Sequence, residues 1–238
     1  MEQQRPTQTI EDYLQLVYIM EREGEEVIAA RIKERKGVSA PTVWATLKRM
    51  QRDGLITMGR SHQILLSPAG QDMAESIIRR HMLAERLLTD ILKLDWADVH
   101  EEAHHMEHAI SPLIERQILR LLDNPTTCPH GNLIPGSQVT PQPKTITLRK
   151  AHEGDSVIIN NIAEHAEDDA ALMHYLERNR LIPGARILID EVSVANATIK
   201  VTREGDGVQV VVGLPTADLI RVRGDEEPTT GGISWRTR

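Results

Sequence analysis

Residues 124–143 divide this chain into two parts with different hydrophobic periods. The segment carries prolines 125, 129, 135, 141 and 143 and glycines 131 and 136. Such a stretch neither continues a helix nor enters the middle of a sheet, so it turns and links. Before it, apolar residues recur every three to four positions; after it, they come in short β-branched runs. One uniform layer is therefore excluded. The 238 residues are expected to fold as α+β with more than one core.

In the first part, Thr9-Ile10-Glu11-Asp12 has capping-box spacing and predicts a helix to Glu23, with Tyr13, Leu16, Val17 and Met20 facing inward. Residues 27–36 read as a second helix closed by Gly37. Ser39 is placed as the N-cap of a third, with Pro41 in its first turn and Val43, Leu47 and Met50 buried. Two apolar runs, 55–58 and 63–66, flank a polar tip with Gly59 and predict a hairpin. Helix, turn, helix and hairpin in this order describe a winged helix-turn-helix.

Ser67-Pro68 opens a long helix to about Leu92 whose apolar face (Met73, Ile77, Leu83 or Ala84, Leu87, Leu88, Ile91) invites a partner subunit, hence a homodimer. Asp95 is expected to cap the next helix and Ser111-Pro112 to open another. Beyond the linker, runs at 145–148, 156–159, 185–189, 197–201 and 208–212, with one helix over 169–179, suggest a small β-barrel. The resulting division is a winged helix-turn-helix at 1–70, an all-helical dimerisation domain at 71–140, a small barrel at 141–225 and a disordered tail at 226–238.

The net charge of −7 hides a strong asymmetry. Residues 27–60 carry eight basic side chains against two acidic ones, and residues 81–130 carry four against nine. The basic stretch points to double-stranded DNA and the acidic one to a different task. Ser39, Pro41, Thr42 and Trp44 lie where base edges are reachable, although Trp44 could instead pack inside the domain. Lys48, Arg49 and Arg60 suit phosphates. The lack of a long apolar run or secretory leader, and the single Cys128, lead to an expected cytoplasmic, reducing location with no membrane partner.

Five of the ten histidines fall at positions 81, 100, 104, 105 and 108. On a helix, His100, His104, Glu107 and His108 share a stripe roughly 100° wide, with His105 off it. His81 and Glu85 form an i, i+4 pair on the preceding helix. Imidazole and carboxylate without thiolate suit a divalent first-row metal. The competing reading is a solvated polar face. Asp12 can serve the helix start, act as a ligand from the first helix, or do both.

Taken in order, Thr9-Ile-Glu-Asp-Tyr-Leu, Ser39-Ala-Pro-Thr-Val, Arg80-His-Met-Leu-Ala-Glu-Arg-Leu-Leu, Val99-His-Glu-Glu-Ala-His-His-Met-Glu-His and Cys128-Pro-His-Gly-Asn-Leu-Ile-Pro resemble the diphtheria toxin repressor family of iron- and manganese-dependent regulators. The resemblance covers nearly the whole chain and implies an SH3-like (FeoA-like) third domain. It further implies a regulatory metal site at Asp12, His104, Glu107 and His108, and a second site at His81, Glu85 and His100, with His81 able to serve either. Manganese-type members carry a carboxylate one turn after Asp12, where this chain has Gln15. Iron-type members carry methionine at the position of Asp12 and cysteine at that of His104. These departures order the expected ions as Mn(II), Fe(II), Zn(II), zinc being raised by the third nitrogen donor. Glu167, Asp168 and Asp169 lie where the barrel would supply a ligand, with no choice among them; Cys128 is expected to pack rather than ligate. The expected function is repression of metal-uptake genes from operator DNA, without an enzymatic activity or a small organic substrate. The alternatives are a winged-helix regulator answering zinc or a non-metal signal, and a metal-assisted hydrolase.

Overall fold

The computed structural model describes residues 7–59, 62–137 and 143–224. Arg60 and the expected tail at 226–238 lie outside the described residues. Two compact units result: residues 1–128 with 133–137, and residues 129–132 with 138–238.

In the first unit, helix α1 (Gln8–Arg22) follows Thr7, whose side chain makes no capping bond. The expected capping box does not form, because the helix starts one residue before Thr9. Glu11 and Asp12 are thereby left for other partners. Ile10, Tyr13, Leu14, Val17 and Met20 are buried, so Leu14 takes the central place expected of Leu16, which packs at the edge. Helix α2 (Ala29–Lys36) begins two residues later than predicted. Val27 is extended instead, and its carbonyl accepts from the Ile64 amide at 2.8 Å, which suits its β-branched side chain.

Helix α3 (Ala40–Arg52) begins at the expected Ser39 cap, and its buried residues are Val43, Leu47 and Met50. Strands β1 (Ile56–Met58) and β2 (Ile64–Leu66) pair antiparallel as the wing. Helix α4 (Pro68–Arg86) starts from the Ser67 cap, against the base of the hairpin. The Ser67 hydroxyl donates to the Gly54 carbonyl at 2.6 Å. A Cβ on Gly70 would meet the Leu55 carbonyl oxygen at 1.9 Å, so only glycine permits this approach.

Helix α4 serves two cores. Its Ala74 and Ile77 close the winged-helix core. Ile78, Met82, Leu83, Ala84 and the following Leu88 enter a second one with Val99, Ala103, Ile110, Ile118 and the buried Cys128. Most of the apolar face expected to await a partner is therefore covered by the chain itself. The predicted helix to Leu92 changes at Arg86 into a π turn, Leu87–Ile91. Helix α5 (Val99–Glu107) starts after Asp98, not Asp95, and α6 (Pro112–Leu121) after the expected Ser111 cap.

The second unit is an antiparallel six-stranded sheet in the order β3-β8-β4-β5-β6-β7, built from β3 (Ile146–Thr147), β4 (Ser156–Ile162), β5 (Arg186–Ser193), β6 (Thr198–Arg203), β7 (Gln209–Gly213) and β8 (Ile220–Gly224). Helix α7 (Ala170–Arg178) lies where predicted. Strand β8 and the short α8 (Leu214–Leu219) before it are additions to the expected five strands. Ile220 and Val222 are fully buried while Arg221 and Arg223 are not; this is the alternation of a strand, in a run too short to stand out. Irregularities at 159–161 and 189–191 bend the sheet, and α8 packs against both edge strands, β3 and β7. The fold is α+β: helices with a two-stranded hairpin, a helical middle and a six-stranded sheet.

Candidate metal centre and reading face

Helices α1 and α5 bring side chains into one half-buried cup. Glu11, Asp12 and Gln15 share a stripe of α1, and His104, Glu107 and His108 share one of α5. His108 Nε2 lies 3.2 Å from Glu107 Oε1 and 3.7 Å from Asp12 Oδ1. His104 Nδ1 is 3.3 Å from the same Glu107 oxygen. Donor atoms of Asp12, His104 and His108 all lie within 4.8 Å of one another. Asp12 Oδ1, Glu107 Oε1 and His108 Nε2 are buried with no hydrogen-bond partner among the described residues. Two carboxylate oxygens and an imidazole nitrogen without a donor between them carry a large desolvation cost. A divalent cation with nitrogen and oxygen preference fits this donor set, and no sulfur intrudes.

Three of the four candidate donors are held by a neighbour. Glu11 Oε2 accepts from His108 Nδ1 at 2.6 Å, which directs the other ring nitrogen into the cup. Gln15 Nε2 donates to Glu107 Oε2 at 2.9 Å, so the residue that departs from the manganese-type pattern holds the Glu107 carboxylate in place. Arg80 Nε donates to the Glu107 carbonyl at 3.1 Å and fixes the end of α5. Lys36 of α2 pairs with Asp12 Oδ2 at 3.6 Å. Sequence reasoning assigned no role to Glu11 and counted Lys36 in the DNA-facing stretch. The shared stripe of Glu11, Asp12 and Gln15 was the available signal, hidden by the capping-box reading.

His81, Glu85 and His100 also meet. His81 Nε2 is 3.1 Å from both Glu85 Oε1 and His100 Nδ1, and His100 Nδ1 is 3.3 Å from Glu85 Oε1. His81 Nδ1 reaches Glu107 Oε2 at 2.7 Å and so joins the two groups. Burial opposes charge on His81, but the Glu85 carboxylate and hydrogen bonds to Glu107 and Glu85 prevail and push it up to about 9. Burial likewise raises Glu107, yet the His104 and His81 imidazoles beside it win and bring it down to about 2. His104 is raised, first by the Glu107 carboxylate 3.3 Å away.

In the second unit, Asp168 is exposed and Asp169 caps α7 through Leu172 N. Glu167 is buried, accepts from Asn132 Nδ2 at 2.8 Å and faces His130 Nδ1 at 3.2 Å.

The candidate reading face is the outer side of α3. Ser39 accepts from the Thr42 amide at 3.4 Å, and Pro41, Thr42, Trp44, Lys48 and Arg49 are exposed. Trp44, 39% exposed, does not pack in the core as its alternative reading had it. Part of the basic surplus is engaged elsewhere: Arg35 pairs with Glu25, Arg52 with Asp53 at 2.9 Å, and Arg49 with Asp53 at 3.8 Å.

A helix-turn-helix joined through its first helix to a half-buried cup of candidate metal donors defines a metal-responsive DNA-binding regulator. Residues 6–62 match the family "Iron dependent repressor, N-terminal DNA binding domain", residues 67–136 "Iron dependent repressor, metal binding and dimerisation domain", and residues 146–224 the "FeoA domain". The iron-dependent repressor IdeR of Mycobacterium leprae is 37% identical over 201 residues, covering 80% of this chain and 87% of its own. The diphtheria toxin repressor of Corynebacterium diphtheriae is 44% identical over 128 residues, 54% of this chain and 57% of its own. A solved manganese-dependent transcriptional repressor in complex with manganese superposes with a TM-score of 0.81 at 29% identity, covering 90% of this chain and 99% of that one. The chain belongs to the diphtheria toxin repressor family of iron-dependent repressors. It is a metal-dependent transcriptional repressor that binds DNA and dimerises, and not an enzyme. Among the described residues no helix is long and apolar enough to cross a membrane.

Proposed function

We propose that this repressor closes on operator DNA when Asp12, His104, Glu107 and His108 hold one divalent ion, with His81, Glu85 and His100 as a second, supporting site. The observation that carries the reading is the convergence of Asp12 Oδ1, Glu107 Oε1 and His108 Nε2, buried and without hydrogen-bond partners, between α1 and α5. A bound cation supplies positive charge between carboxylates that otherwise repel. The chain does the rest. Asp12 belongs to a helix packed into the winged-helix core, and Glu107 and His108 belong to the helical middle, so holding them together fixes one part against the other. The spacing of two reading heads in a dimer then suits successive major grooves. Pro41, Thr42 and Trp44 are assigned to base edges beside the capping Ser39, and Lys48, Arg49 and Arg60 to phosphates.

The mixed set of carboxylate oxygen and imidazole nitrogen, with Asp12 in place of a sulfur ligand, ranks Mn(II) first, Fe(II) second and Zn(II) third. Metal and DNA suffice as ligands, so the reading needs no small organic substrate, and the regulated genes are those of metal uptake in the cytoplasm. For the homodimer, the surface assigned to the second copy comprises Ile91, Leu92, Leu113, Ile114 and Leu121, all exposed and all within the stretch that matches the dimerisation domain. Calorimetric titration of the demetallated protein with Mn(II), Fe(II) under argon, and Zn(II) tests the assignment. Specific heats of binding in the proposed order support it, and the absence of specific heat with all three refutes it.

A further inference from the structure

Asp12 divides its two oxygens between different neighbours. Oδ1 is buried and faces His108 Nε2, while Oδ2 lies 3.6 Å from the ammonium of Lys36. Lys36 is the last residue of α2, immediately before Gly37, whose left-handed φ of 63° ends that helix, and three residues before the Ser39 cap of the reading helix. The pair is partly exposed, the Lys36 side chain 30% and that of Asp12 19%. Neighbouring basic residues differ: Lys33 is exposed, and Arg35 is paired with Glu25 on the other side.

We propose that Lys36 is the resident counter-ion of the metal centre, holding Asp12 from the helix-turn-helix side and setting the ion concentration at which the centre loads. The inference rests on Asp12 being a ligand. One carboxylate then lies between a fixed ammonium and the incoming cation. The ammonium lessens the negative potential that Asp12 offers to the cation and repels the cation directly. It also pins the carboxylate in a pose where Oδ1, and not Oδ2, faces the cup. The first effect weakens metal binding and the second assists it. For a partly exposed pair with one long, flexible side chain the pinning is worth little, while the repulsion acts on a doubly charged ion, so the net effect of Lys36 is to weaken binding.

The sign is what separates this role from a merely structural one. Lys36→Gln and Lys36→Met are expected to bind Mn(II) severalfold, up to about tenfold, more tightly than the parent, since about 1 kcal/mol is the interaction of two unit charges 4 Å apart in water. Lys36→Arg, which keeps the charge, is expected to retain the parent affinity. The measurement is calorimetry with Mn(II) on the full-length protein at fixed ionic strength, and the gain should shrink as salt is raised. Unchanged or weaker binding in both neutral variants overturns the proposal, as does equal tightening in Lys36→Arg. Asp12→Asn, titrated alongside, separates this failure from that of the site itself. Parent-like binding by Asp12→Asn removes Asp12 from the ligand set, and lost binding there with parent-like Lys36 variants removes only the role of Lys36.

Discussion

Glu11 Oε2 and His108 Nδ1 stand 2.6 Å apart, a hydrogen bond that ties α1 to the end of α5 and points the opposite ring nitrogen at Asp12 and Glu107. The carboxylate sets which nitrogen of His108 carries the proton, so Nε2 keeps its lone pair for a cation. Removing the side chain in Glu11→Ala is therefore expected to weaken Mn(II) binding by about 10- to 100-fold, the usual cost of losing a hydrogen-bonded support of a ligand histidine. Glu11→Gln, which keeps an acceptor oxygen, should lose less. Calorimetry decides: parent affinity in Glu11→Ala means the ring needs no such support.

The charges in the cup make both metal affinity and stability depend on pH. His81 is raised to about 9, so it holds a proton in the metal-free protein at neutral pH, and His104 is shifted in the same direction. Ligation needs neutral imidazole, and binding must release protons. Mn(II) affinity should increase from pH 6.5 towards 9, with proton release visible as a dependence of binding heat on buffer. A flat profile over that range would contradict the protonation scheme.

The same shifts bear on the metal-free protein in the opposite sense. A histidine raised from 6.5 to about 9 adds stability that is complete below 6.5 and lost as pH climbs through 9. A glutamate lowered from 4.5 to about 2 adds stability that is present above 4.5 and lost as pH falls through 2. As far as His81 and Glu107 govern it, the midpoint of thermal unfolding is highest between pH 4.5 and 6.5. Replacing His81 with Gln should flatten the alkaline side; an unaltered alkaline slope would assign it to other groups.

Leu113 and Leu121 on α6 are 58% and 59% exposed, and Ile91 and Leu92 are exposed apolar side chains as well. Placing charge there in Leu113→Glu/Leu121→Glu should yield a monomer by sedimentation, with Mn(II) binding kept and operator affinity lost. A variant that remains dimeric would place the interface elsewhere.

The contact of Gly70 with Leu55 predicts a purely structural effect. Gly70→Ala forces a methyl into a backbone oxygen and should cost about 1–3 kcal/mol in urea unfolding, as overpacking generally does. A neutral result would mean that α4 can retreat from the hairpin at no cost.

What sequence reasoning could read follows from periodicity and from local chemistry. The Ser39, Ser67 and Ser111 caps, each followed by a proline in the first turn, placed three helix starts correctly. The stripe of His104, Glu107 and His108 was equally legible, because i, i+3 and i+4 spacing puts side chains together on any helix. Thr9 misled because a capping motif inside a helix looks the same as one at its start. Strand β8 escaped because Arg221 and Arg223 alternate with buried Ile220 and Val222 in a run too short to register. The partners of Asp12 were beyond reach for a different reason: His108 and Lys36 come from α5 and α2, and only tertiary packing brings α1 to both.

Glu107 is the carboxylate on which both groups of donors meet, so its charge tests the metal switch most directly. The measurement is affinity for a duplex operator, selected from genomic fragments by the loaded protein, with Mn(II) and after exhaustive chelation. The parent should bind tightly only with Mn(II), and Glu107→Gln should stay weak at every metal concentration. Full-strength binding by the chelated parent, or a parent-like response to Mn(II) in Glu107→Gln, would contradict the account.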